Sequence, residues 1–263
     1  MSTLPADYAR TLRSLHGVAE LLLAGPQYLR SGTIRLAPAP GGFATVTAPE
    51  IAVSGGSLLV GGVTAGAIAG STCVELAAAV RAVLAHSAQG EAVSGVAETE
   101  LATGAMAGTA GAELAAGAEL EGAVRESLAA AVTGFAASAP AGVYRGGSDV
   151  GADEVLVCDP AAAQLIAETF AIGAHALATV PGADAPVLWP EHFDLSITVS
   201  EINFGVSPGD STIPEPYAYV GPWTPRSGAF WNQAFGAART LTELGDATNV
   251  ADFFAEGIRL AGA

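Results

Sequence analysis

Residues 187–235 read VLWPEHFDLSITVSEINFGVSPGDSTIPEPYAYVGPWTPRSGAFWNQAF. This segment holds nine of the seventeen Phe, Tyr and Trp residues of the chain, including all three tryptophans. It also holds five carboxylates, one histidine and a single arginine, Arg226. Large aromatic side chains are expected either to be buried or to contact a ligand. If the protein has a functional site, we therefore expect it to lie in this segment.

The segment begins with the two-residue alternation that is typical of a half-buried β-strand. Within Glu191–Val199, one face carries Phe193, Leu195, Ile197 and Val199, and the other carries His192, Asp194, Ser196 and Thr198. A second strand is predicted at Glu215–Trp223, where Glu215, Tyr217, Tyr219 and Trp223 share a face. The residues between them, Ser200–Pro214, contain Gly and Pro and are predicted to be a long loop that joins an antiparallel pair.

The rest of the chain alternates helical and strand patterns, which predicts an α+β fold: an antiparallel sheet packed by helices. Helices are predicted at 5–24, ended by Gly25-Pro26, at 161–180 after an Asp159 cap, and at 250–260. Short strands separated by Pro and Gly are predicted at 32–36, 43–47, 51–53 and 57–60. Residues 66–139 are rich in Ala, Gly and Glu and are predicted to be a helical insertion, with helices at Cys73–His86 and Ala112–Ala131. Residues 1–65 and 140–263 then form a single core domain.

The charge balance limits the partners of this protein. The chain has a formal net charge of −16 and no lysine, so all ten of its Lys and Arg residues are arginines. Nucleic-acid binding and docking on an anionic membrane both need basic side chains, and neither is expected here. Two cysteines, no basic leader and no long apolar run favour a cytoplasmic protein without a membrane span.

The predicted strand pair brings carboxylates, an imidazole and aromatic rings onto one surface, which we call the acidic aromatic surface (residues 189–231). His192, Asp194 and Glu215 are the candidate catalytic side chains. The candidate ligand-binding side chains are Glu201, Asn203, Asp210, Tyr217, Tyr219, Trp223 and Trp231. Carboxylates beside aromatic rings suit a small polar or cationic ligand, and binding of such a ligand is the leading hypothesis.

Two other functions stay open. A hydrolase or isomerase would use His192 as a base or metal ligand, although no motif with metal-ligand spacing is present, and the sequence names neither a metal nor a cofactor. A structural protein would bury the aromatics in its core and form an oligomer through the Ala-rich helices. The strand face that carries His192, Asp194, Ser196 and Thr198 also has an explanation without function: it would be the solvent-exposed side of a sheet that is covered on one face only.

Two further motifs have plain explanations. His16 and Glu20 lie one helical turn apart and are predicted to be an exposed pair on the first helix, although they could add groups to the site. Gly205–Gly209 matches the G-x-S-x-G pattern of a hydrolase nucleophile elbow. That elbow needs a following helix and a main-chain N–H after the serine, whereas Pro208 has no N–H, so a turn is predicted instead.

The stretches LWPEHFDLSITV, INFGVSPGD, PEPYAYVGPWTP and FWNQAFGA resemble an uncharacterised conserved protein family of high-GC actinobacteria. LHGVAELLLAGPQY, GTIRL, PGGF and DPAAAQLIAETFAIG extend the likeness to roughly residues 8–62 and 142–256. Residues 66–139 depart from the pattern. The resemblance implies a cytoplasmic bacterial protein and brings no activity with it, and it draws attention to the polar and aromatic residues between His192 and Trp223.

Overall fold

The computed structural model describes residues 3–102 and 134–262. Its centre is one ten-stranded antiparallel sheet with helices packed against it, so the predicted α+β class is confirmed. The first five strands are β1 (Leu36–Ala39), β2 (Gly42–Thr45), β3 (Ile51–Ser54), β4 (Ser57–Val60) and β5 (Val63–Ala67). The other five are β6 (Val187–Trp189), β7 (Asp194–Val199), β8 (Ile202–Ser207), β9 (Tyr217–Pro222) and β10 (Ala237–Thr240).

The sheet consists of two meanders that meet at their first strands. The strand order is β10-β9-β8-β7-β6-β1-β2-β3-β4-β5, and β1 pairs with β6 through Leu36 and Leu188. Each meander then runs outward, one strand at a time, to its own edge. The strands before residue 68 and those after residue 186 therefore share one sheet although about half of the chain separates them.

In the described parts of the chain, six α-helices accompany the sheet: α1 (Tyr8–Val18), α2 (Gly25–Ser31), α3 (Cys73–Ala102), α4 (Pro160–Leu177), α5 (Leu241–Leu244) and α6 (Ala247–Ala261). A π-helical turn, Ala19–Ala24, joins α1 to α2. The predicted end of the first helix at Gly25-Pro26 is therefore wrong. Proline disrupts the ordinary i→i−4 ladder, and the wider π turn immediately before Pro26 lets the chain continue as a helix.

Close contacts at two glycines pack the helices onto the sheet. A Cβ on Gly173 of α4 would lie 2.1 Å from the Val206 side chain, and one on Gly257 of α6 would lie 2.9 Å from that of Val220. Phe170 of α4 meets Phe43 and Phe193 edge to face, and Phe193 stacks on His16 of α1 with ring centroids 5.2 Å apart. These contacts place the core on the inner face of the sheet, which leaves the outer face of β7–β9 available for a site.

The first turns of α3 belong to this core, because Cys73, Leu76, Val80 and Leu84 are buried in it. The predicted helix Cys73–His86 is thus present and extends to Ala102. The second predicted helix, Ala112–Ala131, lies outside the described residues. The division into a core domain and an insertion at 66–139 stays a prediction. Within the described parts of the chain, no helix combines the length and apolar character that a membrane crossing requires.

The start of α4 confirms the cap predicted from Asp159-Pro160. Asp159 Oδ1 accepts a hydrogen bond from the Ala162 amide at 2.9 Å, and Pro160 occupies the first helical position. Replacing Asp159 with alanine is expected to lower the free energy of unfolding by about 1 kcal/mol, because an amide of the first turn loses its acceptor. Urea unfolding measures this change. Asp159→Asn is the matched control and should stay within a few tenths of a kcal/mol, and equal losses in both variants would contradict the capping role.

Candidate functional site

A cleft of about 610 Å³ opens on the outer face of β7, β8 and β9. Antiparallel pairing fixes which residues are neighbours there: Ser196 pairs with Gly205, Gly205 pairs with Tyr219, and Ser207 pairs with Tyr217. The residues that line it are His192, Asp194, Asn203, Ser207, Asp210, Thr212, Tyr217, Tyr219, Gly221, Pro222, Trp223 and Phe235. Its volume is within the range of small-molecule sites.

Asp194 lies at the buried end of this cleft and is only 9% exposed. Its Oδ2 accepts a hydrogen bond from the Tyr219 hydroxyl, and its Oδ1 is buried without a partner among the described residues. Burial raises the pKa of Asp194 from 3.8 to about 6, against smaller opposing effects of the Tyr219 hydroxyl and of His192. A buried carboxylate oxygen without a partner is rare, and it is the strongest single pointer to a ligand in this cleft.

Tyr219 completes the floor of the cleft. Its ring lies against Gly205 on the neighbouring strand, where a Cβ would come within 2.6 Å of the ring. Only glycine at 205 leaves room for the ring to lie flat on the sheet. Burial and the nearby Asp194 carboxylate raise the pKa of Tyr219 far above 10, so its hydroxyl stays a donor at neutral pH.

The outer walls of the cleft are aromatic. Trp223 is 63% exposed, and its indole N–H donates to Asn203 Oδ1 at 3.3 Å, an oxygen that also accepts from Thr198 at 2.8 Å. Phe235 is 42% exposed and meets Tyr219 edge to face at 6.3 Å. Two large rings left open to solvent beside a buried carboxylate form a surface that can cover a bound molecule.

Asp210 lines the cleft but serves chiefly to shape its rim. One oxygen accepts from the amides of Thr212 and Ile213, and the other accepts from the Tyr217 hydroxyl at 2.6 Å. All of these partners belong to the same loop or to the strand that follows it. Asp210 therefore has less free hydrogen-bonding capacity for a ligand than Asp194 has.

His192 lies at the mouth of the cleft rather than on a strand. The observed strand begins three residues later than the predicted start at Glu191, because residues 190–193 form a turn and β7 starts at Asp194. Phe193 has φ +52°, which is uncommon for a bulky residue, and this backbone directs its ring into the core while Asp194 faces the cleft. His192 is exposed, which suits contact with a ligand at the rim more than catalysis at the floor.

Behind this turn lies a buried polar cluster that corrects a second prediction. His16 and Glu20 are not an exposed pair, because Glu20 is 5% exposed and its oxygens accept from the Tyr144 hydroxyl at 2.8 Å and the Ser148 amide at 2.6 Å. His16 Nε2 lies 2.6 Å from the Pro190 carbonyl oxygen and 3.9 Å from Glu20 Oε2. Burial lowers the pKa of His16, against smaller opposing effects of the Glu20 carboxylate and of the Pro190 carbonyl oxygen. Through the contact between His16 and the Pro190 carbonyl oxygen, this cluster holds the turn that contains His192 against α1.

Seven of the ten candidate site residues line the cleft, and three do not: Glu201, Glu215 and Trp231. Glu201 lies in the β7–β8 turn beside a small recess of about 210 Å³ that Arg226 also borders. Glu215 precedes β9, with Oε2 3.4 Å from the Thr242 hydroxyl. Trp231 packs edge to face on Phe230 at 4.8 Å.

Sequence reasoning did not single out Ser207, Thr212, Gly221, Pro222 and Phe235 as cleft residues. The missed signal is the alternation of large apolar residues with polar or small ones at 202–207. These residues form β8 inside the stretch that was predicted to be a loop. The G-x-S-x-G match at 205–209 is the end of this strand and a turn, and no helix follows it within the described residues before α5. The rejection of a nucleophile elbow is confirmed.

Within the described residues, no group of three or more His, Cys, Asp and Glu side chains is arranged to hold a metal ion. Comparison with known proteins gave no assignment: no family model matches the chain, and no match was found among curated proteins or solved structures. The resemblance to an actinobacterial family therefore stays a prediction.

Proposed function

We propose that the protein binds a small polar organic molecule, with cationic molecules favoured, in the cleft on the outer face of β7–β9. The observation that carries this proposal is the unpartnered Oδ1 of Asp194 at the buried end of an aromatic-lined cleft. Such an oxygen gains a full hydrogen bond when a ligand supplies a donor, and the exposed rings of Trp223 and Phe235 gain contact area.

Replacing Trp223 with alanine is expected to weaken binding at least about tenfold, because an exposed indole against a ligand contributes roughly 1–2 kcal/mol. Isothermal titration with putrescine, choline and myo-inositol covers a primary amine, a quaternary amine and a neutral polyol. Trp231→Ala is the matched control, since Trp231 packs on Phe230 outside the cleft. Equal affinities in both variants, or no binding of any compound at millimolar concentration, would contradict the proposal.

One observation favours an enzyme as the second candidate. A carboxyl whose pKa is raised to about 6 and which is hydrogen-bonded to Tyr219 can accept a proton near neutral pH. An isomerase or hydrolase would then use Asp194 as its base, with His192 at the rim. Incubating the protein with each compound that binds and following the compound by NMR tests this candidate. Turnover that survives in Asp194→Asn would exclude Asp194 as the base.

The remaining expectations about partners and location are proposals too. The net charge of −16 opposes binding to nucleic acid or to an anionic membrane. Cys73 and Cys158 are buried free thiols, which suits a reducing cytoplasm. Self-association through residues 66–139 is the basis of the structural alternative. A monomeric mass in light scattering would count against it.

A further inference from the structure

The hydrogen bonds within the cleft decide what kind of group a ligand must offer. The Tyr219 hydroxyl is committed to Asp194, the Tyr217 hydroxyl to Asp210, and the Trp223 indole N–H to Asn203. Three of the strongest donors in the cleft are thus already used. Oδ1 of Asp194 is an acceptor without a partner among the described residues. A ligand that completes this set must bring a donor.

The charged side chains around the cleft decide which charge the donating group of the ligand should carry. Among the described residues, no lysine or arginine lines it, and the only basic side chain in its lining is His192 at the exposed mouth. Asp194 and Asp210 contribute two carboxylates. A positively charged donor therefore meets complementary charge, whereas a carboxylate or phosphate ligand would meet repulsion without a compensating arginine.

The burial of Asp194 decides the size of the donor. With the residue 9% exposed and Oδ1 shielded, only a small group with hydrogens of its own can come within hydrogen-bonding distance. A quaternary ammonium carries methyl groups in every direction, which keeps its charge more than 4 Å from an oxygen, at roughly van der Waals contact. An ammonium with N–H groups has no such barrier.

From these observations we infer that the ligand carries a protonated primary or secondary amine. The amine donates to Asp194 at the floor of the cleft, and the apolar part of the ligand lies between Trp223 and Phe235. This inference rests on the proposed function and specifies the ligand class for the same cleft. In this assignment, Asp194 selects ligands that carry such an amine. The aromatic rings contact the apolar part of the ligand and do not distinguish one apolar group from another.

Three probes of similar shape test the inference: benzylamine, benzyltrimethylammonium and benzyl alcohol, each titrated calorimetrically near pH 7.5. The first is cationic with N–H donors, the second is cationic without them, and the third is a neutral donor. Benzylamine is expected to bind at least about tenfold more tightly than either of the others. In Asp194→Asn, its affinity should fall by about tenfold or more while that of benzyl alcohol stays within about twofold. Glu215→Gln removes a carboxylate outside the cleft and should leave all three affinities unchanged.

Other outcomes overturn the inference in distinguishable ways. Benzyltrimethylammonium binding as tightly as benzylamine would show that the rings recognise charge without a hydrogen bond to Asp194. Benzyl alcohol binding as tightly would show that charge is not recognised. In both cases a loss of affinity in Trp223→Ala would leave the proposed function standing. If none of the three binds while myo-inositol or choline still does, the ligand class is wrong and the cleft is still a binding site. If no compound binds at all, both proposals fail.

Discussion

Truncating Phe170 to alanine is expected to lower the free energy of unfolding by about 3–5 kcal/mol, the usual range for a fully buried phenylalanine. Phe170 is 1% exposed and touches both Phe43 and Phe193, so the ring connects α4 to the two meanders at once. Its removal leaves a cavity at the centre of the core, where close packing allows little collapse. The midpoint of thermal unfolding should fall by roughly 10 °C.

Phe235→Ala is the matched control for this change, because the same ring is removed from a position that is 42% exposed. Its unfolding free energy should change by less than about 1 kcal/mol. Urea titrations with an unchanged slope would show that the difference is one of stability. A loss of less than about 1 kcal/mol in Phe170→Ala would mean that the three-ring cluster is not the centre of the core.

Asp194→Asn is expected to stabilise the protein by at most about 3 kcal/mol near pH 7.5, the free energy that corresponds to a pKa raised by roughly two units. Burial raises the pKa of Asp194 from 3.8 to about 6. The folded state therefore holds this proton more tightly than the unfolded chain does, so the wild type loses stability as the pH rises from about 4 to about 6. Above that range the loss is complete and constant. Asparagine keeps an oxygen for the Tyr219 hydroxyl and carries no charge.

Urea unfolding of both proteins near pH 4.5 and pH 7.5 measures this linkage. The stabilisation should be only about 1 kcal/mol at the lower pH, where little of the penalty has developed. Glu215→Gln changes a carboxylate outside the cleft and should show no such pH dependence. A variant that is more stable and binds its ligand less well is the usual sign of a residue kept for function. Destabilisation by Asp194→Asn at both pH values would contradict a desolvated carboxylate at the floor of the cleft.

Local patterns predicted β2, β3 and β4 of the first meander closely, whereas the strand predicted at 32–36 lies at Leu36–Ala39 and β5 was not predicted. Proline and glycine pairs bracket Ile51–Ser54 and Ser57–Val60, and period-two burial follows the sequence there. The Asp159-Pro160 cap was equally clear, since both residues act within one helical turn. Tyr217 and Tyr219 were also correctly predicted to share one face of a strand, because alternation along a strand depends only on neighbouring residues. The predicted direct pairing of that strand with the strand of Asp194 was wrong, since β8 lies between the two.

Long-range contacts account for the errors. Residues 202–207 contain a glycine and precede a proline, and they form β8 because strands on both sides supply hydrogen bonds. The first helix passes through Gly25 and Pro26 because a π turn precedes them. Glycine is needed at 25 because the main chain at Ser138 lies where a side chain would be. Glu20 is buried because Tyr144 and Ser148, more than a hundred residues away, supply its donors.

By itself, the sequence determined the class of the fold, most of its helices and strands, and the segment that carries the cleft. These features depend on hydrophobic periodicity and on caps and turns, which act over a few residues. Only the tertiary structure decided which carboxylate of the cleft has a buried oxygen without a partner among the described residues, and which of the aromatic side chains form walls. The free energy of a charged side chain is set by what surrounds it in space, and for Asp194 that means burial at the floor of the cleft and the Tyr219 hydroxyl, twenty-five residues away on another strand.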